Sequence, residues 1–424
     1  MGRVDQFSQK GERVRAPKGY VLTRWSIPFA GFLLSLMGGF SYAWGVFILP
    51  MEERFGWTKA QSTLPFTVFM VVFAIFMIPA GRMQDKIGPR KVSLAGAILF
   101  FISYSLAAFV ARFPYVWWLV ITYGFLGGIA CGLTYACIAP PARKWFPDKP
   151  GLAISVGVMG FGLAALILAP LKANYLIPVH GIEGTFLIIG IITSSISLFA
   201  AWLTRNPPEG YAPIGWNPGK AAGKTIAIVK ETSPRELIAS PLFWVIWLTF
   251  AFVVSGGLIC ISLIPSYGKL VVGLSAVEAA IAMSIFSGFN GFGRPLAGFI
   301  ADKFGVVKIM IITYALQAIV FLLFHAIAVN QPALYICLAF LGWGYAVILA
   351  LFPTLTSICF GTRHLGINYG IVFTAFGVGA LAPTAGSWIH DLTGNFTPVF
   401  VSSGFMTVIG LFLCVVLWKK YKVL

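Results

Sequence analysis

Charge is what this chain has least of. Only 10% of its 424 residues are Asp, Glu, Lys or Arg, and the acidic ones number 13 against 30 basic. Soluble proteins carry about 25% charged residues, so a water-exposed globular fold is excluded. Cysteine is also sparse. Cys131, Cys137, Cys260, Cys337, Cys359 and Cys414 all fall in apolar runs without metal-ligand spacing, and read as small packing residues. There is no Walker sequence, no metal-spaced His or acidic cluster and no soluble stretch that would hold a nucleotide, which argues against an enzyme, an ATP-driven pump, a cofactor or a metal. The polar, basic N-terminal 24 residues lack an apolar core and a small-residue cleavage site, so no cleaved signal peptide is expected.

What is present is hydrocarbon. Hydrophobic residues make up 58% of the chain and its mean hydropathy is +0.88. Twelve apolar stretches recur, at about 26–50, 60–83, 91–112, 115–142, 151–173, 184–204, 241–268, 278–301, 307–329, 332–360, 366–389 and 396–418. Each can cross about 30 Å of bilayer, and with no water to satisfy backbone groups each must be helical. The expected fold class is an all-α polytopic membrane protein in contact with the lipid bilayer.

The net charge of +17 suggests nucleic acid until its distribution is read. With the N-terminus inside, inner segments hold 24 Lys/Arg and outer loops five: Arg54, Lys59, Arg112, Lys172 and Lys269. That is the positive-inside bias. It predicts a plasma (inner) membrane protein with both termini cytoplasmic, and no nucleic-acid partner.

Arg294 is the exception. It lies in AAIAMSIFSGFNGFGRPLAGFIA, eight residues and about 12 Å of helix from Asp302. All other charged residues, Lys172 included, are expected at segment ends or in polar connections. A buried arginine in a membrane costs at least about 2.5–3.5 kcal/mol and is a functional-site hypothesis by default. No intramembrane Asp or Glu is at hand to pair with it, so the missing anion is read as cargo.

The chain repeats itself. Gly81-Arg82-Met83-Gln84-Asp85-Lys86-Ile87-Gly88 returns as Gly298-Phe299-Ile300-Ala301-Asp302-Lys303-Phe304-Gly305, and Gly38-Gly39 as Gly256-Gly257. Near-constant offsets predict two parallel six-helix bundles: residues 1–204, a cytoplasmic connection 205–240, and residues 241–424. Parallel halves with a site at their mid-membrane interface describe alternating-access transporters.

The pattern G-x-x-x-D-K-x-G-x-x-K after the second and eighth segments resembles the signature of the major facilitator superfamily. The likeness implies gating roles for Asp85, Arg90, Asp302 and Lys308. Arg143-Lys144-Trp145-Phe146-Pro147-Asp148-Lys149-Pro150-Gly151-Leu152-Ala153 and Asn290-Gly-Phe-Gly-Arg294-Pro295 resemble the oxalate/formate antiporter and monocarboxylate transporter branch, which implies Arg294 as the substrate-binding arginine. Two departures bear on cargo. Oxalate carriers have a second cation, a lysine, where alignment through Asn368-Tyr369-Gly370 puts Phe376. Animal monocarboxylate transporters place an Asp where this chain has Asn290.

A single cation suits a single carboxylate, so the expected cargo is a small monocarboxylate of the lactate or pyruvate type. Arg294 offers a bidentate fork that stays protonated. Asn290 lies one turn away on the same face as a donor to the carboxylate or a cargo hydroxyl. Tyr42, Tyr135 and Tyr345, with Trp343 beside the last, are candidate wall residues, since the likeness implies that helices one, four, seven and ten line the cavity. Phe376 would face the aliphatic end of the acid. Tyr369 sits nearer the cytoplasmic end and is the weaker candidate. His390 and Asp391, at the outer end of segment eleven, are a candidate proton relay. Coupling stays open between proton symport and anion exchange, with a non-transporting carboxylate sensor as a remote third reading. The monomer is the expected functional unit.

Overall fold

The computed structural model describes residues 20–57, 59–213 and 231–421. The first 19 residues, Lys59's side chain and the middle of the connection, 214–230, lie outside the described residues. Helices account for all twelve expected segments, spans one to twelve in chain order. Among the described residues, nine helical stretches are long and apolar enough to cross a membrane, and one of them, Pro150–Leu203, carries spans five and six end to end. The eighth span is the single helix Ala276–Phe304, and the eleventh is divided into Leu365–Gly379 and Ala382–Thr393.

Local sequence explains where the helices start and break. Ser275 begins the eighth span with a capping box: its hydroxyl accepts from the Glu278 N–H at 3.3 Å while the Glu278 carboxylate accepts from the Ser275 N–H at 2.8 Å. Gly88 and Gly305 hold φ of +88° and +99° in the tight turns after spans two and eight. A side chain is strained there, which is why both copies of the repeat end in glycine. The first span breaks after Gly39 into a 3₁₀ turn, Phe40–Ala43, and resumes as Gly45–Phe55.

The two halves meet along repeat-related seams, the second span against the eleventh and the fifth against the eighth. Glycines let backbone touch backbone: Gly81 faces Gly366, Gly298 faces Gly151, and Gly162 faces Gly291. At the end of the molecule where the first span begins and the twelfth finishes, here the basic end, each seam is fastened by a carboxylate. Asp85 accepts from the Gly366 and Ile367 amides at 3.3 and 3.0 Å. Asp302 accepts from the Gly151 and Leu152 amides, both at 2.9 Å. Each acid thus sits at the positive end of a helix belonging to the other half. Arg24 pairs with Asp148 at 3.2 Å and lies over the Phe146 ring, tying spans one and five at the same end.

Two of the four residues expected in gating do not join these fastenings. Arg90 donates to the Trp202 carbonyl within its own half, and Lys308 is exposed at the start of the ninth span. The basic groups that act on the fastenings are Lys144 and His364 on Asp85 and Arg143 on Asp302. Lys144 and Arg143 lie in the string Arg143 to Ala153, outside the repeated motif.

Lys172 lies deeper than its sequence position suggests. Expected in an outer loop, it is 2% exposed. The fifth span passes into a π turn, Lys172–Leu176, and the ammonium points inward to the Ala43 carbonyl at 3.3 Å and lies 4.3 Å from the Phe47 ring centre.

Replacing Asp85 or Asp302 by Asn removes charge-assisted bonds to two amides. Each loss is worth about 1 kcal/mol at these part-exposed sites. Labelling of a cysteine introduced at Leu152 is expected to rise roughly fivefold in Asp302→Asn, as the basic end opens more often. Unchanged labelling would rule out a fastening role.

Candidate functional site

Arg294 is fully buried and Asn290 is 1% exposed. The eighth span places them one turn apart, and the glycines Gly288, Gly291 and Gly293 thin that stretch of helix. Arg294 Nε and Nη2 both donate to Asn290 Oδ1, at 3.2 and 3.1 Å. Nη1 donates to the Val158 carbonyl on the fifth span at 2.5 Å. Close approach at Gly162 and Gly291 is what brings that carbonyl within reach. The guanidinium is therefore held by two neutral oxygens, one from each half. Among the described residues no carboxylate pairs with it; the ion pairs found are Arg24–Asp148 and Arg54–Glu183.

The Asn290 oxygen accepts from the guanidinium and orients the fork, which leaves the amide Nδ2 as the donor side.

Tyrosine hydroxyls surround the charge. Tyr135 lies against Arg294, and Tyr42, Tyr345 and Tyr369 are within its electrostatic reach. The Tyr42 and Tyr345 hydroxyls meet each other at 3.1 Å across the halves. Tyr369 was the weaker candidate from sequence. Its hydroxyl is buried without a hydrogen-bond partner, and its ring rises from the basic end onto Phe373.

The remaining wall is aromatic and comes from both halves. Phe376 stacks on Phe373 with centroids 4.9 Å apart, and Phe73 lies 6.1 Å from it. Tyr135 stands edge-on to Phe73 and Phe161, and Tyr42 edge-on to Phe161 at 4.8 Å. Trp343 packs beside the backbone of Gly293. Phe73, Phe161 and Phe373 were not anticipated, nor was the Val158 carbonyl. Isolated phenylalanines in an apolar helix carry no signal of their own, and a backbone oxygen carries none. His390, fourteen residues beyond Phe376, lies tilted against Phe396 with ring centres 4.1 Å apart, and the Asp391 side chain lies outside the described residues.

Arg294 can thus present a fork to one carboxylate, with hydroxyls for a second polar group and phenyl rings for a short aliphatic part. On the side of the basic end lie the Asp85 and Asp302 fastenings.

Comparison with known proteins agrees with this architecture. The oxalate:formate antiporter of Oxalobacter formigenes is 31% identical over 84% of this chain and 82% of its own length. Monocarboxylate transporter 12 of Xenopus laevis is 25% identical over 74% of this chain and 71% of its own. Among solved structures, the transporter FucP in its outward conformation superposes with a TM-score of 0.66 at 18% identity, covering 92% of this chain and 98% of that one. That likeness carries the fold alone. The Major Facilitator Superfamily model matches residues 29–300 and 272–423. The chain is a multi-pass membrane transporter and belongs to the Major Facilitator Superfamily.

Proposed function

We propose that this transporter carries small monocarboxylates of the lactate or pyruvate type, with Arg294 as the carboxylate receptor. The observation that carries the reading is a fully buried guanidinium held only by neutral oxygens. Buried charges are ordinarily paired, and an incoming carboxylate supplies the pairing. Where a dianion carrier of the likeness would have a lysine, this chain has Phe376, buried between Phe73 and Phe373. Lys172, the other buried cation, is occupied with Ala43 and Phe47 at a different place.

The transport cycle follows from which bonds cross the interface. The Nη1 bond to Val158 joins the halves, whereas the two bonds to Asn290 stay within the eighth span. An anion that takes Nη1 replaces a bond between halves with one to cargo, and neutralises the charge before the halves rock. Cargo is captured while the basic end is closed and released when Asp85 and Asp302 let go. With the basic end cytoplasmic, as the positive-inside bias predicts, this is uptake through the plasma (inner) membrane by a functional monomer.

Proton symport makes this uptake electroneutral. The second reading, anion exchange, is favoured by the 31% identity to an oxalate:formate antiporter and by the neutral Asn290 at the turn before the arginine.

In proteoliposomes, lactate is expected to enter down an imposed inward proton gradient with no anion inside. A strict need for internal substrate would replace symport by exchange. In a competition panel of lactate, pyruvate, acetate, formate and oxalate against labelled lactate, the monocarboxylates are expected to compete and oxalate not to; strong oxalate competition would overturn the single-cation argument. Arg294→Lys loses the fork, worth about 2 kcal/mol, so lactate kcat/KM should fall roughly thirtyfold. Unchanged transport in that variant would remove Arg294 from the receptor role.

A further inference from the structure

Arg294 and Lys172 are the two buried charged side chains among the described residues, and the receptor uses only the first. The 22-residue helix Pro150–Leu171 carries Lys172 about 33 Å from the basic end. Arg294 is ten residues from Phe304, about 15 Å up. Lys172 is therefore a feature of the far end, aimed inward by the π turn that begins with it.

Its target is the break in the first span. In an unbroken helix the Phe47 N–H would reach the Ala43 carbonyl. Here it donates to Trp44 at 2.8 Å, and the Trp44 N–H donates to Ser41 at 3.0 Å. The Ala43 carbonyl loses its helical donor, and the Lys172 ammonium supplies a bond at 3.3 Å. The face of Phe47, one turn on, holds the same ammonium at 4.3 Å.

The residue before Ala43 is Tyr42, whose hydroxyl meets that of Tyr345 in the other half at 3.1 Å. Tyr42 stands eighteen residues beyond Arg24, so about 27 Å up. The Tyr42–Tyr345 bridge accordingly lies on the far side of Arg294 and roofs the receptor.

We propose that Lys172 is a positioning residue of the far-end gate. By bonding the carbonyl that the break orphans, it fixes the 3₁₀ turn at the angle that lets Tyr42 reach Tyr345. The roof, the break and the lysine then form one device, with the hydroxyl bridge as the bar and the ammonium as its brace. Lys172 touches no cargo in this role.

The test reads the roof directly and needs no assumption about which acid is carried. Asn290→Cys serves as reporter in a background with the six native cysteines replaced. The neighbouring guanidinium keeps its thiol reactive, and labelling by a charged methanethiosulfonate is timed from the far side. Lys172→Met is expected to speed labelling about tenfold, and Tyr42→Phe to do the same. The two together should be no faster than either alone, because both act through one bar. Lys172→Gln keeps a donor for the Ala43 carbonyl and should label within about twofold of the parent. An unchanged rate in Lys172→Met, or additive acceleration in the double variant, overturns the proposal. Should Lys172→Met fail to reach the membrane, Lys172→Gln decides alone, and a rate raised tenfold despite the retained donor overturns it equally.

Discussion

A fully buried guanidinium has no carboxylate beside it among the described residues, and much of the structure answers to that constraint. Arg294 has five N–H donors and spends three of them on two oxygens. The oxygens come from a side chain one turn nearer the far end and from a backbone carbonyl of the other half, within reach where Gly162 and Gly291 let the fifth and eighth spans touch. Neutral acceptors keep such a charge tolerable without satisfying it. A carboxylate partner in the protein would have made a stronger and more inert pair. The arrangement leaves Arg294 short of a counter-ion among the described residues.

The two halves share a repeat but divide the labour. Their fastenings correspond closely, Asp85 with Asp302 and Gly88 with Gly305, because both bundles must release together. The receptor has no such copy. The position matching Arg294 in the first half is Met77, which is buried and contributes to the packing against Gly370. Symmetry therefore marks the fastenings, while the asymmetry lies at Arg294. The first half adds its own distinguishing feature at the far end, where the span is broken and braced by Lys172.

Much of this was legible in the sequence because the bilayer leaves few options. Twelve apolar runs had to be helices, and the repeat gave their grouping. Arg294 stood out by cost alone. Other features were hidden for physical reasons. Lys172 sits where span five meets span six, and only the π turn decides whether it points to water or to protein. Arg90 and Lys308 belong to the repeated motif, yet Arg90 bonds within its own half and Lys308 is exposed, and motif membership carries no direction. Tyr369 looked too near the basic end because its Cα is; its long side chain carries the hydroxyl up toward Tyr135 and Arg294. The Val158 carbonyl belongs to every residue type alike, so only packing could reveal it.

The fastenings at the basic end have one more property. Each carboxylate grips main-chain amides, which every residue except proline offers, and so it asks nothing of the partner's side chain beyond staying out of the way. Gly151 and Gly366 meet that demand as the first contact in each clasp. The second contact is Leu152 in one and Ile367 in the other, different residues serving identically. Such a lock reads size and backbone shape, and the chemistry of its partner's side chain is left free to vary.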